Sequence, residues 1–508
     1  MSVAATAAGL PPSAAAACLV STALADLAAD FGELLCLCGG AGAKLTQAAA
    51  EFGAAGLGEP ARLLLLGELD TARRRYRASA GRLASLRERA EREAPSSALV
   101  QELAAERAAL ADQLRVEQAL TAALVAAADW QSPSFRHSIA PAAGRQEGRI
   151  RAHWNDYKRD RHLDADEYER RYVEALVDGP PGLRALLTSC GMAAFTTILS
   201  FLLLERKLEG PVLAGDGLYH ESRLLLERAL PGRVRFVDER DTPALVRAID
   251  ELRPSVLFLD SLSNTRWMPV PELAAVVERL RGTDTYLVVD NTGLSVACQP
   301  FAWAGDSVRL LVFESLLKYA QLGLDRTNAG VIVARAGDAE LLSVYREHLG
   351  TNIADVAVHA LPPPDRGVLE RRLARLQRNA LHLAARLGER SPPSVAIVYP
   401  GLPSHPCARV AARLRFSGGC LSIVFRTPDH GLERERELVE ASVAEAAKRG
   451  VALLAGASFG FDTARVYLTA ARAEEGRAFV RVAAGTEDRL ALESLAEVLA
   501  AAVERVAR

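Results

Sequence analysis

The spacing of apolar positions divides the chain into stretches with different periods. Up to about residue 130 apolar residues recur at steps of three and four, and strand-like runs are almost absent. Leu69, Ala72, Tyr76, Ala80, Leu83 and Leu86 fall on one stripe of a helix. Glu93-Ala94-Pro95-Ser96-Ser97 breaks it, and Leu103, Leu110, Leu114, Leu120 and Leu124 resume the period. This predicts two long antiparallel helices joined by a Pro-Ser turn, with a shorter helical piece before them. Such stripes serve intramolecular packing or a partner protein, and packing is the commoner use.

Residues 131–180 carry Pro133, Pro141, Gly144 and Gly148, then dense charges and aromatics, and read as an extended arm. Over 181–365 short β-rich runs alternate with amphipathic helices. Val234–Val237, Val256–Leu259, Tyr286–Val289, Leu310–Phe313 and Val331–Ala334 are the strands; Pro243–Leu252 and Pro271–Arg281 are helices between them. This alternation predicts an α/β fold with a mostly parallel sheet. Residues 366–508 read as a smaller α+β domain: a helix at Val368–Leu387, strands at Val395–Val398 and Leu421–Phe425, and a final helix bearing Leu492, Leu495, Leu499, Val503 and Val506.

Composition narrows the function classes. The 508 residues are half hydrophobic and 24% charged, which excludes wholesale disorder and suggests two to four domains. Lys plus Arg number 61 against 63 Asp plus Glu, so no global field gathers nucleic acid or an anionic membrane. The seven cysteines are scattered and form neither a disulfide frame nor a zinc site. Met1–Ala17 lacks the basic start of a secretory signal. Ile198–Leu204, among the longest apolar runs, is stopped by Glu205 and Arg206, so no membrane span is predicted. The expectation is a soluble cytoplasmic protein.

Parallel α/β sheets bind ligands at the carboxyl ends of their strands. Asp290 ends Leu287-Val288-Val289, and Lys318 follows Leu310–Phe313, so two consecutive strands deliver a carboxylate and an amine to one edge. Buried, such a pair is either an ion pair or a cofactor site in which lysine forms a Schiff base and the carboxylate holds a pyridine nitrogen. Further blocks stand around them. Ser189-Cys190-Gly191-Met192-Ala193-Ala194 precedes the helical run Phe195–Leu204. Asp216-Gly217-Leu218-Tyr219-His220-Glu221-Ser222 and Asp260-Ser261-Leu262-Ser263-Asn264-Thr265 follow; then come Val289-Asp290-Asn291-Thr292 and Ser315-Leu316-Leu317-Lys318-Tyr319. Downstream lie Tyr399–Pro406, Gly456-Ala457-Ser458-Phe459-Gly460 and Phe479–Asp488.

In this order the blocks resemble the Cys/Met-metabolism (trans-sulfuration) family of pyridoxal-phosphate enzymes, which includes cystathionine γ-synthase, cystathionine lyases and methionine γ-lyase. The resemblance covers roughly residues 150 to 505. It implies fold type I, the aspartate-aminotransferase-like fold, with an all-α domain added at the amino terminus and pyridoxal 5′-phosphate as cofactor. It implies that Cys190, Gly191, Met192 and Ser315 surround the phosphate, Tyr219 stacks on the ring and shuttles protons, and Asn264 bonds the ring oxygen. Asp290 would meet the ring nitrogen, Lys318 the aldehyde carbon, and Arg481, Ser458 and Asn264 the amino-acid substrate. Tyr157 and Arg159 match the arm that grips a neighbouring subunit's phosphate, implying a homodimer or dimer of dimers with shared sites.

His220 and Glu221 depart from the family pattern by replacing two glycines, and Leu317 replaces a threonine that binds phosphate. The function implied is γ-replacement on an activated homoserine-like amino acid, extending to a large nucleophile, a C–C bond or a sulfonium donor such as S-adenosylmethionine. A β- or γ-lyase is the alternative within enzymes; a catalytically silent scaffold with a partner-binding helical domain is the alternative outside them.

Overall fold

The computed structural model describes residues 12–54, 58–128, 163–427, 432–471, 473 and 477–507. Two compact units result. The first comprises residues 1–158, 358–362 and 487–495, and the second 159–357, 363–486 and 496–508.

The first unit is built on three helices, α1 (Pro12–Ala54), α2 (Glu59–Arg92) and α3 (Ser97–Ala128). The pairs Tyr76–Thr121, Arg82–Glu106 and Arg89–Glu102 link α2 to α3 in antiparallel order. The buried Tyr76–Thr121 hydrogen bond, 3.1 Å long, contributes about 1 kcal/mol. Three expectations need correction. The piece before the two helices is not short: α1 is the longest at 43 residues, its pattern blurred because alanine and glycine mark a face weakly. Within it Ala14–Ala50 is long and apolar enough to cross a membrane by length and composition, and 39% of its most apolar window is buried. The α3 stripe drifts as 3.6-residue turns do, so Leu120 is exposed and Thr121, Ala122 and Val125 are buried instead.

In the second unit α4 (Leu163–Leu176) falls within the segment read as extended. Its charges hid the helix: Glu167, Arg170, Arg171 and Glu174 pair along the outer face, while Ala165, Tyr168, Glu169, Tyr172 and Leu176 are buried. Glu169 meets Arg346 and the Leu187 N–H, and Tyr172 donates to Glu314 at 3.0 Å, so α4 is bolted to the sheet.

That sheet has seven strands: β1 (Leu183–Thr188), β2 (Val212–Gly215), β3 (Val234–Val237), β4 (Val256–Asp260), β5 (Tyr286–Asp290), β6 (Arg309–Ser315) and β7 (Gly330–Arg335). Their order is β1-β7-β6-β5-β4-β2-β3. Strands β3, β2, β4, β5 and β6 are mutually parallel, and β7 runs antiparallel to both its neighbours. The continuous apolar runs of β4 and β5 reflect burial on both faces. One core, including Phe195, Phe201, Phe258, Val288, Leu311 and Ile332, holds α5 (Gly191–Leu204) against the sheet. Helix α6 (His220–Ala229) follows β2. A second sheet, β10-β11-β12-β9-β8, is formed by β8 (Val395–Val398), β9 (Cys420–Phe425), β10 (Leu454–Ala455), β11 (Arg465–Thr469) and β12 (Phe479–Ala483). All but the β10–β11 pairing are antiparallel. The architecture is the expected mostly parallel α/β sheet with a smaller α+β part.

Candidate active site

The carboxyl ends of β4, β5 and β6 lie side by side. Asp260 is in register with Asp290, and Asp290 with Phe313, so the two carboxylates leave neighbouring strands on one face. Burial pushes both upward from the ordinary carboxylate range. At Asp260 the Asp290 charge adds to the rise; at Asp290, Thr292 and Lys318 oppose it. Sequence reasoning missed Asp260 as a partner of Asp290, although both end an apolar strand and the same rule finds both.

A chain of close contacts leads from Asp290 to a helix terminus. Asp290 Oδ1 accepts the Thr292 N–H at 2.9 Å, and Thr292 Oγ1 accepts the Ser315 N–H at 2.9 Å. Gly191 presses on Ser315 so closely that a Cβ there would stand 2.7 Å from the serine's Cβ. Cys190, in extended conformation, caps α5: its Sγ accepts the Ala193 N–H at 3.3 Å. The first amides of α5 have no acceptor within their own helix, and the dipole there favours an anion. The Met192 side chain packs against the core, leaving its amide as the group able to serve a ligand.

Lys318 Nζ donates to Ser458 Oγ at 2.7 Å. Ser458 has a φ of +76°, a left-handed conformation that costs a non-glycine residue about 1–3 kcal/mol and clusters at functional sites. Burial pushes the Lys318 amine below its ordinary value; Cys420, Asp325 and Asp290 oppose this, and Arg481 adds to it. Arg481 stands on β12 opposite Ser422 and Tyr467 and is 1% exposed. Its Nη1 donates to the Tyr467 hydroxyl at 3.3 Å, while Nε and Nη2 are buried with no partner. A guanidinium so placed calls for an anion.

Tyr219 precedes α6, and its N–H donates to Asp260 Oδ2 at 2.9 Å. Its phenol is pushed up to about 12 by burial, then by the charge and hydrogen bond of Glu221, with Asp290 contributing. The residues that replace two glycines are therefore placed beside it: Glu221 is near enough for its charge to raise the phenol, and His220 Nδ1 is buried without a partner. Asn264 stands half-buried in the turn after β4. Lys318, Asp290, Tyr219, Ser458 and Arg481 thus form one cluster, with the Gly191–Ser315 cradle beside Asp290. Tyr157 and Arg159 lie outside the described residues. Cys420 and Tyr467, both at the cluster, carried no motif signal.

An anion-seeking helix terminus, a buried carboxylate, a buried amine and an unpaired guanidinium together fit a phosphorylated pyridine and the carboxylate of an amino acid. With the sheet order, they define a pyridoxal-phosphate protein of fold type I. The sequence profile of the family described as Cys/Met metabolism PLP-dependent enzyme matches residues 111–498, and the chain belongs to that family. Bifunctional enzyme flvA of Aspergillus flavus is 25% identical over 69% of this chain and 43% of its own length. A protein described as probable cystathionine gamma-synthase, from Herpetosiphon aurantiacus, is 29% identical over 48% of this chain and 74% of its own. Crystalline cystathionine gamma synthase from Xanthomonas oryzae shares the fold with a TM-score of 0.57, at 23% identity over 70% of this chain and 89% of its own.

Proposed function

We propose that the chain catalyses γ-replacement on an activated homoserine-like amino acid, a nucleophile taking the place of the γ leaving group. The carrying observation is the buried Arg481 guanidinium, with two unpaired nitrogens, in one cluster with Lys318 and Asp290. Pyridoxal phosphate, when bound, supplies an electron sink for the substrate's α-carbon. Lys318 would hold the cofactor and give it up to the substrate's amino group. Its freed amine, weakened as an ammonium by burial, takes the α-proton and then serves Cβ; Ser458 aims it. Asp290 pairs with the ring nitrogen. The amides of Cys190, Gly191 and Met192 with the Ser315 hydroxyl receive the phosphate, Asn264 the ring oxygen, and Arg481 the α-carboxylate as a fork. Tyr219 would cover the ring as a neutral phenol and pass protons, burial and the nearby Glu221 charge keeping it protonated.

His220 and Glu221, where the family has glycines, add bulk and charge beside Tyr219 and favour an atypical nucleophile over an ordinary small thiol. Incubation with O-acetyl-, O-succinyl- and O-phosphohomoserine, cystathionine, methionine and S-adenosylmethionine, with and without added nucleophiles, tests the reading. A γ-substituted amino acid that requires the nucleophile supports it. Release of 2-oxobutyrate or pyruvate unaffected by every nucleophile would replace it with a lyase, and no reaction with any compound would remove the activity.

The arm carries a separate expectation. If Tyr157 and Arg159 complete the partner subunit's site, Arg159→Ala weakens cofactor binding. An equal mixture of Arg159→Ala and Lys318→Ala then recovers roughly a quarter of wild-type turnover, since half the dimers are mixed and each holds one intact site. No recovery after subunit exchange, verified by tagged chains, would place the arm outside the partner's site.

A further inference from the structure

Glu239 follows β3, is 3% exposed, and belongs to none of the family-like blocks. Both its carboxylate oxygens accept the Gly217 N–H, at 3.1 and 3.2 Å. The other side of that residue is held too: Ser263 Oγ donates to the Gly217 carbonyl at 2.5 Å. A Cβ at position 217 would collide with Ser263 Oγ and Glu239 Oε1, so only glycine fits between them. Two residues on, the Tyr219 N–H is held by Asp260. The turn that presents Tyr219 is therefore gripped at three points.

We infer that Glu239 is a positioning residue for Tyr219: with Ser263 it fixes the Gly217 backbone, and through it the ring that covers the cofactor. The inference rests on the assignment of Tyr219 to the cofactor's ring. The grip depends on a proton. Burial, then the charges of Asp238 and Asp216, push Glu239 up to about 7, while the Gly217 N–H opposes the rise. The other groups around it are Asp260 at the end of β4, Arg240 on its own segment and Cys407 from the turn after Tyr399. Ionised, the carboxylate makes a charge-assisted bond to Gly217; protonated, it offers a weaker neutral one. The sign for folding is opposite. A carboxyl raised from 4.5 to about 7 stabilises the fold fully below 4.5, and that contribution is lost as pH rises through 7. The grip thus tightens over the interval in which this group's own contribution to stability falls.

The test is the cofactor's dissociation constant, measured by equilibrium dialysis of full-length protein between pH 5.5 and 8.5. Wild type should bind more tightly as pH rises through 7. Glu239→Gln should match it near pH 6, fall about tenfold behind at pH 8, and lose the step, as expected when a charge-assisted bond becomes neutral. Placed on Tyr219→Ala, Glu239→Gln should have no further effect, because both act through one element. Ser263→Ala, which frees the other end of Gly217, should weaken binding at every pH, and it serves if Glu239→Gln fails to fold. An unchanged pH step in Glu239→Gln, an equal loss on the Tyr219→Ala background, or unaltered binding in Ser263→Ala overturns the inference. Unaltered binding in Tyr219→Ala alone would instead overturn the assignment of Tyr219.

Discussion

Lys318→Ala is expected to remove the visible absorbance of the bound cofactor and lower turnover by more than about 10³-fold, near the upper range for one positioned proton-transfer group. Two functions would fall together, because the amine proposed to hold the cofactor is also the proposed base. Neighbours do not replace it: the Ser458 hydroxyl is not a base at neutral pH, and the Tyr219 phenol, pushed up to about 12, stays protonated there. Lys318 Nζ stands 5.2 Å from the Phe459 ring centroid, and alanine introduces no new charge there. Folding should survive. Far-UV circular dichroism of the variant should overlay wild type while the coloured band is absent.

Arg481→Ala carries the second large effect. Its guanidinium is fully buried on β12 with Nε and Nη2 unpaired, so the fold has accepted desolvation without a carboxylate to offset it. Removing one member of a buried, hydrogen-bonded charge pair costs about 2–5 kcal/mol, which is a loss of roughly 30-fold or more in binding. The loss should fall on KM for the amino acid and leave cofactor affinity near wild type. Arg481→Lys should rescue little, since an ammonium cannot offer two parallel donors. In the absence of substrate, Arg481→Ala should unfold at a temperature equal to or above wild type. A KM unchanged by either variant would remove Arg481 from substrate recognition.

Five of the seven strands were legible because their apolar runs are short, distinct and separated by amphipathic helices, even though β3 carries the exposed Arg235; β1 and β2 were not read. The same runs displayed the site: Asp290 and Lys318 are polar where the pattern has just been most apolar. Arg481 is the contrary case. It is the one charge in β12, among Phe479, Val480, Val482 and Ala483, and only the match to a family block separated it from a surface residue. Two helices were obscured for opposite reasons. In α1, alanine and glycine mark no clear face; in α4, charges paired three and four residues apart resemble a solvated arm. Glu239 carried no signal, since its role depends on Gly217 and Ser263, which only the parallel ordering of β2, β3 and β4 brings to it.

The central claim is that Lys318 holds the cofactor. Its most direct test is to load the purified protein with pyridoxal phosphate, reduce it with borohydride, digest it and map the modified residue by mass spectrometry. The account predicts a phosphopyridoxyl group on the peptide containing Lys318, near one per chain, and none on Lys207, Lys448 or the other lysines. A group fixed on a different lysine, or no fixed cofactor after full loading, would contradict it.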